Sequence, residues 1–272
     1  MKKITLLLLL FTAVVLAQPG LIDATFSTGL GPNSAVVASV TQPDGKIVIG
    51  GAFSTYNGVA RSRIARINPD GSLDSGFNPI SGLPNAEEIY TMALQPDGKI
   101  IIGGFFSSYD GVARNHIARI NPDGTLDTSF SPGTGANNYI ASVALQSDGK
   151  IIAGGFFTSF NGSPRNRIVR LNPDGSIDNT FNMGSGTNEY VYTVSVLADD
   201  KIYVGGGFTT YNGVNVGHFT RLNPDGTRDT SFAAGTPGNN SVLTHGATRW
   251  QDCHWRILHY VCGQFPPADC AS

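Results

Sequence analysis

Charge, glutamate, histidine and cysteine are scarce in this chain, and each scarcity closes off a class of reading. Only 14% of the 272 residues are charged and the formal net charge is −2, so no basic surface points to nucleic acid or to an anionic membrane. Glutamate occurs three times, as Glu87, Glu88 and Glu189. A paired-carboxylate glycosidase site in the variable loops that hold them has no further support. Before residue 241 there are two histidines, His116 and His218. Neither lies near a nucleophile elbow, so no Ser-His-Asp arrangement is visible. No Gly-x-x-x-x-Gly-Lys-Ser/Thr loop leads from a strand into a helix, and no amphipathic helix is visible at all. No catalytic residue, cofactor-binding residue or metal ligand is therefore assigned. All three cysteines come after residue 250.

What the chain has in abundance is glycine, 34 residues, together with 15 prolines and a 40% apolar fraction. That combination suits many turns between short strands, with enough apolar surface for a core. Residues 1–17 stand apart. Lys2 and Lys3 precede an apolar run from Ile4 to Leu16, and Val15-Leu-Ala17 offers small residues for cleavage. This pattern predicts a secretory signal peptide over 1–17 and a mature chain from Gln18, secreted, periplasmic or on the cell surface. The run is shorter than the ~20 residues a spanning helix needs, and no later segment could span a membrane as a helix.

The remainder repeats. Asn-Pro-Asp-Gly begins at Asn68, Asn121, Asn172 and Asn223, with spacings of 53, 51 and 51. Asp-x-x-Phe begins at Asp23, Asp74, Asp127, Asp178 and Asp229, and Gly-Gly pairs begin at Gly50, Gly103, Gly154 and Gly205. The units are 23–73, 74–126, 127–177 and 178–228, and a fifth starts at 229 within a repeat region of 18–240. In the second unit, Ile89 to Leu94 is a strand candidate, and Pro96-Asp-Gly98 is a turn in which proline presets φ and glycine takes the left-handed position. Lys99 to Phe106 is a second strand whose unbroken apolar run implies burial on both faces. Its Gly103-Gly104 pair implies a bulge or a close backbone approach. Tyr109-Asp-Gly111 turns the chain, His116 to Asn121 is a third strand, and Leu126 to Phe130 is a short fourth. Four short strands in about 50 residues is the period of a propeller blade. The fold class is therefore all-β: a β-propeller-like array of four-stranded blades, about four complete and a disrupted fifth. A β-helix repeats at shorter intervals, and a β-sandwich does not repeat so strictly.

Gln95-Pro-Asp-Gly-Lys99, Gly103-Gly-Phe-Phe106, Arg114, Ile117-Ala-Arg119 and Leu126-Asp-Thr-Ser-Phe130 have counterparts at matching offsets in the other copies. Together they resemble the delta-60 repeat, an uncharacterised β-propeller-like repeat of bacterial surface and secreted proteins. The resemblance runs from residue 22 to about 236. It implies a propeller and brings no catalytic residues to carry over.

The tail, 241–272, departs from this pattern. It holds Cys253, Cys262 and Cys270, both tryptophans, and His245, His254 and His259. The cysteines lack paired metal-ligand spacing, and an odd number leaves one over. The genetic code offers a better account. Trp250 is TGG and a glutamine codon begins with C, so a one-base shift forces a glycine there. The next codons permit Lys, Ile, Val and Ile, and Trp255 forces a second glycine. Ala247-Thr-Arg249 permits Gln-Pro-Asp, while Pro266, Ala268, Asp269 and Ala271 permit Arg, Arg, Ile and Arg at the offsets of Arg114, His116, Ile117 and Arg119. The tail thus reads as a fifth repeat translated out of frame, in a truncated or frameshifted chain. Codons that failed to spell Asp-Gly-Lys-Ile in the other frame would remove this reading.

The repeat also ranks the candidate site residues. Before the tail, 13 of the aspartates fill the Asp-x-x-Phe, Pro-Asp-Gly-Lys and Asn-Pro-Asp-Gly slots, which points to turns and local bonds to backbone N–H groups. Calcium ligation by Asp70, Asp74 and their equivalents is the alternative, but Asn68-Pro-Asp-Gly-Ser-Leu-Asp74 does not match a calcium loop. Arg61, Arg114 and Arg165, and Arg66, Arg119, Arg170 and Arg221, suggest structural ion pairs with the Asp-x-x-Phe aspartate, tying strands or neighbouring blades. Val216 replaces the first arginine in the fourth copy, which tells against an essential ligand-binding ring. Tyr56, Tyr109, Phe160 and Tyr211 suggest packed turns or, alternatively, a carbohydrate-stacking platform. His116 and His218 replace Arg63 and Arg167 and suit surface or hydrogen-bonded roles. The function expected is a non-enzymatic binding or scaffold module with an unknown protein or carbohydrate ligand and no nucleic acid. The alternative is a secreted polysaccharide hydrolase or lyase with its site in the propeller channel.

Overall fold

Successive side chains of a strand point to opposite faces, so Ile100-Ile101-Ile102 can be buried throughout only if both faces of their sheet are covered. A computed structural model of the chain describes residues 25–84 and 86–232 and shows how this is met. The signal peptide expected over 1–17 and the tail 241–272 lie outside the described residues. Among those described there are twenty strands and no helix, and hence no helix long and apolar enough to cross a membrane.

The strands form four like sheets, each an antiparallel triplet. The inner strands are Val36–Thr41, Glu88–Leu94, Ile140–Leu145 and Val191–Val196. The middle strands are Ile47–Gly51, Ile100–Phe105, Ile151–Gly155 and Ile202–Gly206, and the third strands are Ile64–Ile67, Ile117–Ile120, Ile168–Leu171 and Phe219–Leu222. Between middle and third strands each sheet carries a two-residue hairpin, such as Ser108–Tyr109 with Val112–Ala113. The expected fourth strand is reduced to a single bridge, Leu126 with Ile120 and likewise Leu73 with Ile67. The reason is local: Asp127 Oδ1 accepts from Ser129 N–H, and Phe130 N–H returns to the Asp127 carbonyl, so the chain turns off the sheet.

Inner strands of successive sheets lie side by side, from Val36–Thr41 across to Val191–Val196, while those two end strands are not neighbours of each other. The four described sheets therefore form an arc of blades. Alternate residues of each middle strand feed different blade interfaces. Ile101 and Ile117 join the third blade's Ile140, Ile151 and Val169, whereas Ile100, Ile102 and Ala118 join the first blade's Val48 and Ile64. Ile152 and Ile168 repeat the pattern with the fourth blade.

The Gly-Gly pairs serve both roles expected of them. Opposite Gly103-Gly104 the inner strand bulges by one residue, Tyr90, between Ile89 and Thr91. A Cβ on Gly104 would lie 2.2 Å from the Glu88 carbonyl oxygen, inside the bulge. A Cβ on Gly103 would come within 2.9 Å of Ile140 in the next blade, and one on Gly154 within 2.5 Å of Val191. One glycine thus accommodates the bulge and the other lets the blades approach.

Candidate functional site

The sheets have two unlike ends. The turn end carries the Pro-Asp-Gly-Lys and Asn-Pro-Asp-Gly turns. The loop end is where the chain enters each inner strand and leaves each middle strand. Most residues singled out by repetition meet at the turn end.

There, Arg119 Nε donates to Asp127 Oδ2 at 2.6 Å, and Lys99 Nζ lies 2.9 Å from the same oxygen. Arg119 Nη1 donates across the interface to the Pro173 carbonyl at 2.6 Å, Nη2 donates to Ser129 Oγ, and the guanidinium sits 5.0 Å from the centre of the Phe130 ring. Arg66 and Arg170 make the same set with Asp74 and Asp178, with the carbonyls of Pro122 and Pro224, and with Phe77 and Phe181. A charged pair out of water is tolerated when every donor and acceptor is matched, as here. Burial alone would raise the Asp74 carboxyl, but Lys46, the Gly76 N–H and Arg66 outweigh it and hold the group at about 2. Asp178 is held at about 2 against its burial by Thr180, Arg170 and Lys150. Asp127 and Asp229 are lowered further still. The ion pair expected for this arginine series is thus present, and it ties strand to strand and blade to blade.

The other arginine series behaves differently from expectation. Arg61, Arg114 and Arg165 donate to the carbonyl of the preceding residue at 2.8 Å, and among the described residues they form no salt bridge. They stand beside the two-residue hairpins, and Arg165 Nη2 also donates to Asn179 Oδ1 in the Asp-x-x-Phe segment of its own blade at 3.0 Å. The turn aspartates hold their loops as expected: Asp44, Asp97, Asp148 and Asp199 each accept from the N–H two residues on. Asp70, Asp123, Asp174 and Asp225 do the same and also accept from the Ser or Thr hydroxyl there. Asp70 Oδ1 and both oxygens of Asp74 are thus engaged within the protein, and among the described residues no cluster of acidic, histidine or cysteine side chains could hold a metal ion.

Tyr56, Tyr109, Phe160 and Tyr211 are at most 1% exposed. The three phenols donate to the carbonyls of Gly71, Gly124 and Gly226 at 2.6–2.7 Å. Burial raises the pKa of all three. A carbohydrate platform at these positions is ruled out, because their faces are packed in the core. His116 Nδ1 lies 3.2 Å from the Gly104 carbonyl, and burial lowers its pKa. Arg63 and Arg167 bond to the carbonyls one residue further along, of Ala52 and Phe156. Glu87 Oε1 accepts from the Ser107 N–H and hydroxyl, standing in for Asn33, Asn137 and Asn188 in the other blades.

What repetition did not single out lies at the loop end. Tyr190 stacks on Phe156 with centroids 4.0 Å apart, and Phe156 stacks on Tyr139 at 4.1 Å. Tyr139 meets Tyr90 edge-on at 5.6 Å, and Tyr192 lies 5.5 Å from Phe156. The Arg167 guanidinium covers the far face of this series, 4.9 Å from Tyr190. Phe105 is 47% exposed and Tyr190 is 36% exposed. The result is a half-exposed aromatic surface shared by the second, third and fourth blades. Val37, at the position of Tyr90 in the first blade, is 50% exposed. A cavity of 320 Å³ adjoins the aromatic surface, lined by Asn166, Arg167, Ser185, Thr187, Asn188 and Thr210.

These aromatics sit at three positions of the blade: just before the inner strand (Tyr139, Tyr190), in its bulge (Tyr90, Tyr192), and at or just past the end of the middle strand (Phe105, Phe156). The first blade has Ala35, Val37 and Ala52 at those positions. The available sequence signal was departure from the repeat, an aromatic where other copies have something small. Burial and then the Glu88 carboxylate raise the Tyr90 phenol, and burial together with the neighbouring tyrosines raises Tyr139. Both phenols are therefore neutral donors and acceptors at ordinary pH.

Comparison with solved structures finds propellers at low similarity. The WD40 β-propeller domain of Doa1 aligns with 63% of this chain at 16% identity and a TM-score of 0.44. The extracellular domain of BT4673 from B. thetaiotaomicron aligns with 67% at 20% identity and 0.40, and XC5397, a gluconolactonase from Xanthomonas campestris, with 70% at 15% and 0.43. The alignments span 48%, 22% and 59% of those chains, less than two thirds of each. No curated protein sequence matches significantly. The profile of the family described as "Domain of unknown function (DUF5122) beta-propeller" matches residues 42–77, 95–130, 146–181 and 197–232. Each match runs from the inner turn of one blade to the phenylalanine of its Asp-x-x-Phe, and together they cover more than half of the chain, which therefore belongs to this β-propeller family.

Proposed function

We propose that the chain is a non-enzymatic binding module of an exported protein, and that its loop-end aromatic surface receives a protein partner. One observation carries this reading. The apolar and phenolic side chains that break the repeat converge on a single half-exposed surface, while the repeated ones are spent on the blades. Amphipathic rings that offer contact area at little conformational cost are the side chains favoured at protein interfaces. The stacking also bears on ligand class. Phe156 has a ring on each face and Tyr190 lies between Phe156 and Arg167, so what they turn outward is ring edge and hydroxyl. Edges and hydroxyls suit a peptide better than a flat sugar face, which favours a protein over a polysaccharide. The lysine-flanked apolar run of residues 4–16 supports export.

The test is a selection of displayed peptides on the immobilised protein, with a parallel gel-retardation series on soluble polysaccharides. The expected outcome is peptides that bind the native chain and lose at least tenfold in affinity to Phe105→Ser and Tyr139→Ser. Retardation by a polysaccharide that the same substitutions abolish would overturn the protein reading. Release of reducing ends from that polysaccharide would overturn the non-enzymatic one.

A further inference from the structure

Three contacts between neighbouring blades follow one plan and differ in what fills it. In each, the loop that leads to one inner strand packs on the chain entering the third strand of the blade before. A Cβ on Gly82, Gly135 or Gly186 would meet the carbonyl oxygen of Ser62, Asn115 or Asn166 at 2.6, 2.3 or 2.4 Å. The residues that follow are Leu83, Ala136 and Thr187 on one side and Arg63, His116 and Arg167 on the other. The second trio shares a left-handed backbone, with φ of 70°, 68° and 67°, so it is one slot of the repeat. At the first contact Leu83 is buried in the core with Ile64. At the second, the slots hold His116 and Ala136, and Ala136 is buried with Ile117. The third combines an arginine with a polar partner, Arg167 with Thr187, and the 320 Å³ cavity opens there.

The lining of this cavity holds one cation and no anion. Arg167 Nη1 is pinned by the carbonyls of Phe156 and Phe157 at 2.9 and 3.2 Å, and the Tyr190 ring lies against the guanidinium. Nη2 has no partner among the described residues, and Nε is buried without one. Arg167 forms no salt bridge among those residues, not even with Glu189 beside the cavity-lining Asn188. The Asn188 amide is spent on Thr209 and Thr210, and the Thr187 hydroxyl on the Glu189 carbonyl. The Ser185 and Thr210 hydroxyls have no partner among the described residues. The cavity thus offers a guanidinium already held in place, with donors to spare and two hydroxyls beside it. Such a group binds an anion without the usual cost of ordering a long side chain.

We propose that this cavity receives a carboxylate of the protein partner, from an acidic side chain or a free C terminus, with Arg167 as its counter-ion. The proposal rests on reading the adjoining aromatic surface as a protein site. One guanidinium matches a group of one negative charge. A phosphate carries nearly two, and no second cation lines the cavity to balance it. The Tyr190 ring lies between Arg167 and Phe156, so a peptide whose carboxylate sits on Arg167 has its neighbouring apolar residue against the ring edges.

The test is a nuclear magnetic resonance titration of the isotope-labelled full chain with three probes. They are acetyl-Leu-Asp amide, acetyl-Leu-Asn amide and acetyl-Leu-Asn with a free C terminus. The expected result is that a charged probe shifts the Asn166, Ser185 and Thr210 amides and the Arg167 Nε–H signal at about tenfold lower concentration than the neutral one. Which charged probe does so identifies the source of the carboxylate. Arg167→His, a residue this slot already accepts as His116, should remove the preference at pH 8, and Arg165→Gln should leave it intact. The proposal is overturned if the three probes shift the cavity alike, if none shifts it, or if the preference survives in Arg167→His. Shifts confined to the Tyr90 and Tyr139 amides, equal for all three probes, would remove the carboxylate and leave the protein reading standing. Retardation by a polysaccharide in the series above would remove the protein reading itself, so the two fail separately.

Discussion

The two ends of these blades are made of the same strands and obey different rules. At the turn end every blade repeats one polar arrangement: an aspartate shared by a lysine and an arginine, seen at Asp74, Asp127, Asp178 and Asp229. At the loop end each blade carries a different combination of side chains, and aromatic rings stack across three of them. The difference follows from what each end must do. Blades of one repeat can stack only if the contact between them is the same each time, so the stacking end is bound to repeat. The loop end makes no such contact and is free to vary, which is where recognition can be built.

Acid should break the comparison most completely. The aspartates of the turn end have folded-state pKa values below the ordinary carboxylate range, about 2 for Asp74 and Asp178. Their contribution is fully present above the unfolded pKa of about 4 and is lost as pH falls through the folded value. Urea midpoints should therefore be flat from pH 7 to about 5 and fall steeply below about 4. A midpoint unchanged at pH 3 would contradict the assigned role of these pairs.

A single pair gives the next largest effect. Arg119→Ala removes one donor from the Asp127 carboxylate, which keeps Lys99 and Ser129, and leaves the Pro173 carbonyl without its arginine donor; it should cost about 2–3 kcal/mol. Arg114→Ala, beside the hairpin of the same blade, should cost within about 0.5 kcal/mol. Equal losses in denaturant titrations of the two variants would erase the distinction between the two arginine series. Smallest of all, Phe105→Ser removes a half-exposed ring and should move stability by less than about 1 kcal/mol. A large loss there would make the aromatic surface part of the framework.

Much of the blade was legible because its causes are local. Pro96-Asp-Gly98 had to turn, and Ile100-Ile101-Ile102 had to be covered on both faces. The strand Leu126 to Phe130 was not legible, because Asp127 spends its side chain on Ser129 and Phe130 is claimed by the next blade's Gly175. Arg66 and Arg119 looked like Arg61 and Arg114 in sequence, since both series recur once per unit. Only the strand that carries each one separates the ion-paired series, on the third strands, from the series beside the hairpins. The aromatic surface escaped because Tyr90, Tyr139 and Tyr190 do not occupy one repeated slot. They meet only after three blades are set side by side.

By itself the sequence determined the period, the strand and turn chemistry within a blade, and the need for each sheet to be covered twice, because these depend on residues near one another in the chain. Tertiary structure alone decided which glycine faces the bulge and which the neighbouring blade. It also decided that Arg119 reaches a carbonyl more than fifty residues away, and that scattered rings form one surface. Those outcomes depend on how one blade lies against the next, a relation set by packing across interfaces that no stretch of a single repeat encodes.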